Sequence, residues 1–133
     1  MTGEPDIPTT WGAQLALAEA TLAAAGSLAP REEAAELLSH LLSVPGSALL
    51  AKLSSPMRRI DVETYSVWVA RRAAGEALAR ITGRLEFMGL DITIERDSPL
   101  VPPGAQRLVE TALQWARRRT QGELLAAEMC AGC

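Results

Sequence analysis

Cys130 and Cys133 are the two cysteines of this chain, and their C-x-x-C spacing is that of a dithiol redox pair or of half a zinc site. A redox pair needs the motif set between a strand and a helix, and a zinc site needs two further ligands. The one histidine, His40, stands far upstream, so neither chemistry finds its remaining parts. A fragmentary glycine-type turn is the better reading of Cys130-Ala131-Gly132-Cys133. Glu128 is the carboxylate with a mechanistic rationale. At the end of a first parallel strand it would lie where open α/β folds bind cofactors, although an ordinary acidic residue near the C-terminus reads the same way. No Ser/His/Asp set, full-length phosphate-cradling loop or paired-carboxylate site is present.

Charge is uneven along the chain. Between Met57 and Arg84 stand Arg58, Arg59, Arg71, Arg72, Arg80 and Arg84, against Asp61, Glu63 and Glu76. Such a run makes either solvated helix faces, the ordinary outcome, or a surface for an acidic partner. The net charge of −3 argues against a general nucleic-acid binder. Trp11, Trp68 and Trp115 fall on apolar stripes and read as core anchors rather than base-stacking platforms. His40 falls among exposed positions and reads as solvated.

These residues must be positioned by a mostly helical chain. Apolar residues make up 48% of it, with a single Phe and a single Tyr, so the core must be rich in Leu and Ala. No run of about 18 apolar residues occurs, so no membrane span is expected. Met1 to Thr9 reads as an acidic, Pro-bearing tail unlike a signal peptide. Two cysteines at the extreme C-terminus exclude a disulfide framework and favour a reducing cytoplasm.

Thr10 is a good N-cap for a first helix to about Ala25, with Trp11, Leu15, Ala18 and Leu22 as its stripe and Gly26 as its stop. Pro30 opens a second helix whose first turn holds Glu32 and Glu33, where carboxylates complement the helix dipole. Its buried face is Ala34, Leu37, Leu38, Leu41 and Leu42, and it ends before Pro45-Gly46. Ser47 to Leu53 predicts a short third helix. Asp61 predicts the cap of a fourth, running to about Ala74, with Ile60 and Tyr65 as a hydrophobic staple and Val62, Tyr65, Trp68 and Val69 inward. Leu78 and Ile81 add one more turn.

After Gly83 the period changes. Leu90, Ile92 and Ile94 alternate with polar residues, which predicts a half-buried strand, with Leu85 to Met88 as its partner and Gly89 at the turn. Pro99, Pro102 and Pro103 stiffen a linker. Ala105 to Arg119 returns to helical spacing, with Leu108, Ala112 and Trp115 along its stripe and Arg117 to Arg119 at its end. Glu123 to Met129 reads as a short buried strand. With its neighbours unaccounted for, the C-terminal segment is expected to be disordered after about Pro103, to dock its helix onto the bundle, or to self-associate through an exposed edge.

Arg71-Arg72-Ala73-Ala74-Gly75-Glu76-Ala77-Leu78-Ala79-Arg80-Ile81-Thr82-Gly83, followed by Glu86-Phe87-Met88-Gly89-Leu90, resembles the domain junction of the HemK/PrmC-type protein-glutamine methyltransferases. Their pattern is RR-x-x-GEPLAYI-x-G and then EF-x-GL. The resemblance continues through Leu100-Val101-Pro102, Leu108-Val109-Glu110 and Ala112-Leu113, and covers roughly Leu37 to Gly132. It implies an N-terminal helical domain that recognises a class I release factor. A hairpin would then link it to a Rossmann-like domain that binds S-adenosylmethionine, and the methyl group would go to the side-chain amide of a Gln in a Gly-Gly-Gln motif.

The resemblance also implies the site. Glu128 to Cys133 is similar to the family's first cofactor motif, an acidic residue and then Gly-x-Gly-x-Gly, with Cys130 in place of the first glycine. The implied cofactor-binding residues are Leu100, Pro102, Glu128, Cys130 and Gly132. The family's PRPET segment is here Pro102-Pro103-Gly104-Ala105-Gln106, and its Asn-Pro-Pro-Tyr motif is absent. The expectation is therefore a mainly α chain. A helical recognition bundle occupies 1–83, a hairpin and Pro-rich linker 84–103, and the first helix and strand of a truncated Rossmann-like domain 104–133. No catalytic or metal residue is assigned, and S-adenosylmethionine is not expected to bind this chain alone. The partner is a release-factor-like protein, with no membrane and no direct nucleic acid. A stand-alone helical interaction module is the other reading.

Overall fold

A computed structural model describes residues 9–102, 104–119, 122 and 123. Two compact units divide the chain at Thr82/Gly83.

The first unit is helical: α1 (Trp11–Ala24), α2 (Pro30–Leu42), α3 (Gly46–Leu49) with a 3-10 turn (Leu50–Lys52), α4 (Arg59–Ala73) and α5 (Leu78–Thr82). The start of α1 shows why it begins at Trp11. The Thr10 hydroxyl accepts from Ala13 N–H (3.2 Å), and the two preceding N–H groups, on Trp11 and Gly12, reach the carbonyls of Ser55 (3.0 Å) and Leu53 (2.8 Å). The donors of Trp11, Gly12 and Ala13, which a helix start leaves without an intrahelical acceptor, are thus satisfied before Gln14. The same pairing, with Met57 N–H on Thr9 O (2.8 Å), fastens the opening of the described chain to residues 53–57.

Leu15, Ala18 and Leu22 of α1, Ala34, Leu37 and Leu38 of α2, Leu49, Met57, Tyr65, Val69 and Ile81 form the buried core. Trp11, Leu41, Leu42, Val62, Trp68 and Leu78 pack half-buried against it. Apart from Met57, which lies outside the helices, these are the positions the helical period picks out, and each fully buried Leu or Ile contributes roughly 1.5–3 kcal/mol of transfer free energy. Tyr65 crosses the core and donates its hydroxyl hydrogen bond to Ala34 O at 2.8 Å. Burial pushes that hydroxyl well above the ordinary tyrosine range.

Three helices end in the same way. Beyond α1, Gly26 and Ser27 N–H turn back onto Ala23 and Leu22 carbonyls; beyond α2, Ser43 and Val44 return to His40 and Ser39; beyond α4, Gly75 and Glu76 return to Arg72 and Arg71. This 6→1, 5→2 pattern is the Schellman motif, and it places Gly26, Ser43 and Gly75 at positive φ.

Two expectations for this unit are corrected. Asp61 is not the cap of α4: the helix starts at Arg59, and Asp61 lies in its first turn. There its carboxylate faces the helix's positive end and accepts a bidentate pair from Arg58 (2.7 and 3.0 Å), an arrangement that outweighs capping. Ile60 is consequently helical and 60% exposed rather than a staple residue, while Tyr65 goes to the core. The third helix starts one residue earlier than expected and becomes 3-10 after Leu49. Its inward side is Leu49 and Leu53, and Leu50 is exposed.

In the second unit, β1 (Arg84–Phe87) and β2 (Leu90–Thr93) form an antiparallel hairpin in the register Arg84↔Thr93 and Phe87↔Leu90. Met88 and Gly89 both take positive φ, as a two-residue I′ turn requires, so Met88 belongs to the turn and not to the strand. Glu86 stands opposite Asp91, and the diagonal Arg84–Asp91 ion pair offsets that like-charge contact. The expected half-burial of β2 is not found: Leu90 is 65% and Ile92 39% exposed. Alternation tells which residues share a face, and burial needs an element to cover it.

The last described helix is α6 (Ala105–Arg118), entered from Gly104. It has no buried residue, and Trp115, expected as a core anchor, is 53% exposed with the Arg119 guanidinium 4.4 Å above its ring. The expected strand after Glu123 lies outside the described residues.

Candidate functional site

The arginine run is the first candidate, and the helix ends explain what it does. The Schellman turn at Gly75 reverses the chain, so Glu76 comes back beside the last turn of α4. Its carboxylate takes a bidentate pair from Arg71 (2.7 and 2.5 Å), and its carbonyl accepts from Arg72 Nη1 (3.1 Å). Arg72 forks in turn onto Glu33 in the first turn of α2, at 3.0 and 2.8 Å. Ser27, delivered by the Schellman turn of α1, donates to the same carboxylate at 2.9 Å.

The Arg72 guanidinium holds the Glu33 carboxyl below the usual carboxylate range. Donating hydrogen bonds to Glu33 and Glu76 in turn holds the guanidinium groups of Arg72 and Arg71 above their ordinary range. The ends of α1 and α4 and the start of α2 are therefore joined by one polar cluster beside a pocket of about 130 Å3. Arg58 pairs with Asp61, Arg59 with Glu63 and Arg84 with Asp91. Arg58, Arg59, Arg71, Arg72 and Arg84 thus meet carboxylates of the chain itself, which favours the ordinary reading of the run over a surface for an acidic partner.

A second feature was missed at the level of sequence. A groove of about 120 Å3 runs between α1 and α4, with Ala18, Tyr65 and Val69 on its floor. Gln14, Leu17 and Thr21 form one rim and Ser66 and Ala70 the other. The signal was available: over its 14 residues α1 carries a single charged side chain, Glu19, although only Leu15, Ala18 and Leu22 are buried. Ala13, Ala16, Leu17, Ala20, Ala23 and Ala24 leave its solvent face apolar.

Of the residues expected to hold a cofactor, Leu100 is half-buried and Pro102 exposed. Pro102 serves the start of α6, its carbonyl accepting from Ala105 N–H at 3.1 Å. Neither side chain carries a polar group that could hold a ribose, amino or carboxylate group, so these two do not by themselves make a seat for S-adenosylmethionine. Glu128, Cys130 and Gly132 lie outside the described residues. His40 is exposed, as its helical phase predicts. Among the described residues no group of three His, Cys, Asp or Glu side chains is placed to hold a metal ion, and no single helix is long and apolar enough to cross a membrane.

Comparison with known proteins bears on the same segment. The family model of the PrmC N-terminal domain matches residues 14–83. The release factor glutamine methyltransferase of Vibrio cholerae is 36% identical over 113 residues, which are 85% of this chain and 39% of the relative. That of Burkholderia pseudomallei is 39% identical over 77 residues, 58% of this chain and 27% of the relative. That of Bordetella pertussis is 35% identical over 96 residues, 72% of this chain and 36% of the relative. The chain spans between 27% and 39% of the length of these three relatives. The matched segment runs from the first turn of α1 to the residue after α5, the helical unit with its polar cluster and its groove. This chain belongs to the PrmC N-terminal domain family.

Proposed function

We propose that residues 1–83 are the protein-recognition domain of a release factor glutamine methyltransferase, acting in the cytoplasm. Residues 84–103 then connect it to the opening of a methyltransferase domain at 104–133. The observation that carries this reading is the coincidence of the 14–83 match with a helical unit that has its own core. The unit offers partners an outer surface, and its charged side chains are largely engaged in holding it together.

On this reading the partner is a release factor, and the amide of one of its glutamines is the methyl acceptor. S-adenosylmethionine supplies the methyl group in such a reaction. Leu100, Pro102, Glu128, Cys130 and Gly132 are the residues proposed to approach it. The role of the helical unit is to hold the protein substrate, and no transfer step is assigned to its side chains.

Titration calorimetry of the full chain with the Vibrio cholerae release factor tests the proposal. Saturable binding with a Kd in the micromolar range is the expected result, and heats indistinguishable from dilution at 100 μM would remove the recognition role. A parallel titration with S-adenosylmethionine addresses the alternative of a stand-alone interaction module, which requires release-factor or other protein binding and no cofactor binding.

A further inference from the structure

We infer that the groove between α1 and α4 is the seat for a single apolar helical ridge of the protein partner, with one Leu-sized side chain over Ala18 and Val69. The inference rests on the recognition role proposed above and adds the surface that performs it.

The groove is built for a ridge. Gln14, Leu17 and Thr21 recur at the three- and four-residue spacing of one helical row, as do Ser66 and Ala70 across from them. The free volume, about 120 Å3, is of the order of one large aliphatic side chain. The small Ser66 and Ala70 on the α4 rim let a helix backbone come close, and Leu17 on the opposite rim, 60% exposed, offers an apolar wall.

Charge and size select the occupant. The groove and the adjoining face of α1 hold no charged side chain; Glu19 lies off the groove and meets Arg31 at 3.7 Å. Phosphate backbones and anionic lipid surfaces need cations that this face lacks. An uncharged apolar ridge is its electrostatic complement. Area argues for a partner engaged transiently rather than a permanent second copy. At 1.5 Å per residue the 14 residues of α1 run about 21 Å, and a strip about 10 Å wide offers roughly 200 Å2. One side of a stable dimer needs about 800 Å2.

The experiment uses the full chain and the Vibrio cholerae release factor as the probe. Ala70→Glu and Leu17→Glu each put a charge on an exposed rim without touching the core, whereas Val67→Glu puts one on an exposed position of α4 outside the groove. The first two are expected to weaken binding at least about tenfold and Val67→Glu less than about twofold, with unchanged circular dichroism. In spectra of the labelled chain, the amides of Gln14, Leu17, Thr21, Ser66 and Ala70 should move most on binding. Binding by wild type that survives Ala70→Glu and Leu17→Glu intact would overturn the groove and leave the recognition role standing. Absence of binding by wild type would overturn both. A wild-type dimer in light scattering that Ala70→Glu dissociates would replace the partner with a second copy and overturn the assignment made here.

Discussion

Arg72 grips Glu33 with two hydrogen bonds, at 3.0 and 2.8 Å, across 39 positions of sequence. Both side chains are largely buried, and the guanidinium also reaches the carbonyl of Glu76. One arginine thus ties the end of α4 to the start of α2 and to the segment leading into α5.

Acid should loosen this tie. Glu33 titrates lower in the folded chain than its ordinary 4.5, so its contribution is complete above that value and is lost as pH falls through the lowered folded value. Thermal unfolding followed from pH 7 to pH 3 should show the midpoint of wild type falling below about pH 4.5. Glu33→Gln should start lower, by about 1.5–3 kcal/mol, and fall less steeply. Equal acid slopes for the two proteins would contradict the assignment.

Removing the Tyr65 hydroxyl should cost less than removing its ring. Tyr65→Phe deletes one buried bond to Ala34 O and is expected to lower stability by about 1 kcal/mol. Tyr65→Ala opens a core cavity and should cost about 3–5 kcal/mol. Urea unfolding of the two variants measures the difference, and a Phe variant as unstable as the Ala variant would show that the hydroxyl, not the packing, dominates.

Gly75 and Gly12 make a contrasting pair of glycines. At Gly75, with φ +96°, an added Cβ would meet nothing within 4 Å, so Gly75→Ala carries only the backbone penalty of the left-handed region, about 1–2 kcal/mol. At Gly12 the backbone is helical, but a Cβ would come within 3.1 Å of the Leu53 carbonyl that its own N–H bonds. Gly12→Ala is expected to loosen the contact with residues 53–57, read as faster amide exchange at Trp11 and Gly12. Gly75→Ala should leave those two amides protected and raise exchange at Gly75 and Glu76 instead.

The stacking of Arg119 on Trp115 is open to direct measurement. Arg119→Ala should shift the Trp115 emission and raise its accessibility to the neutral quencher acrylamide, because the guanidinium covers one face of an exposed ring. In a Trp11→Phe, Trp68→Phe background the change would come from Trp115 alone, and an unaltered spectrum would show that the stack does not persist in solution.

Much of the helical unit was legible from short-range rules. Thr10 caps, Pro30 starts, Gly26 and Gly75 stop, and the apolar period marks Leu15, Leu22, Leu37, Leu38 and Val69. Asp61 was misread because a carboxylate suits both a cap and a first turn, and only the Arg58 partner separates them. Glu33–Arg72 could not be seen, since nothing local to either residue names the other. The exposure of Ile92 and Trp115 escaped for a related reason: periodicity assigns a face and leaves open what covers it. Of the proposed cofactor residues, only Leu100 and Pro102 fall where geometry is described, and neither side chain has hydrogen-bonding chemistry to read.

The base of the hairpin is closed, because Ile94 N–H donates to Gly83 O at 2.8 Å. The chain therefore leaves this element beside the point where it entered. Residues 84–93 behave as a detachable loop in an otherwise continuous path, and a hairpin of different length or tip chemistry could be grafted there without lengthening the route from Gly83 to Ile94. Variation should accordingly be tolerated at Met88 and Gly89 as insertions, while the two closing residues keep their spacing.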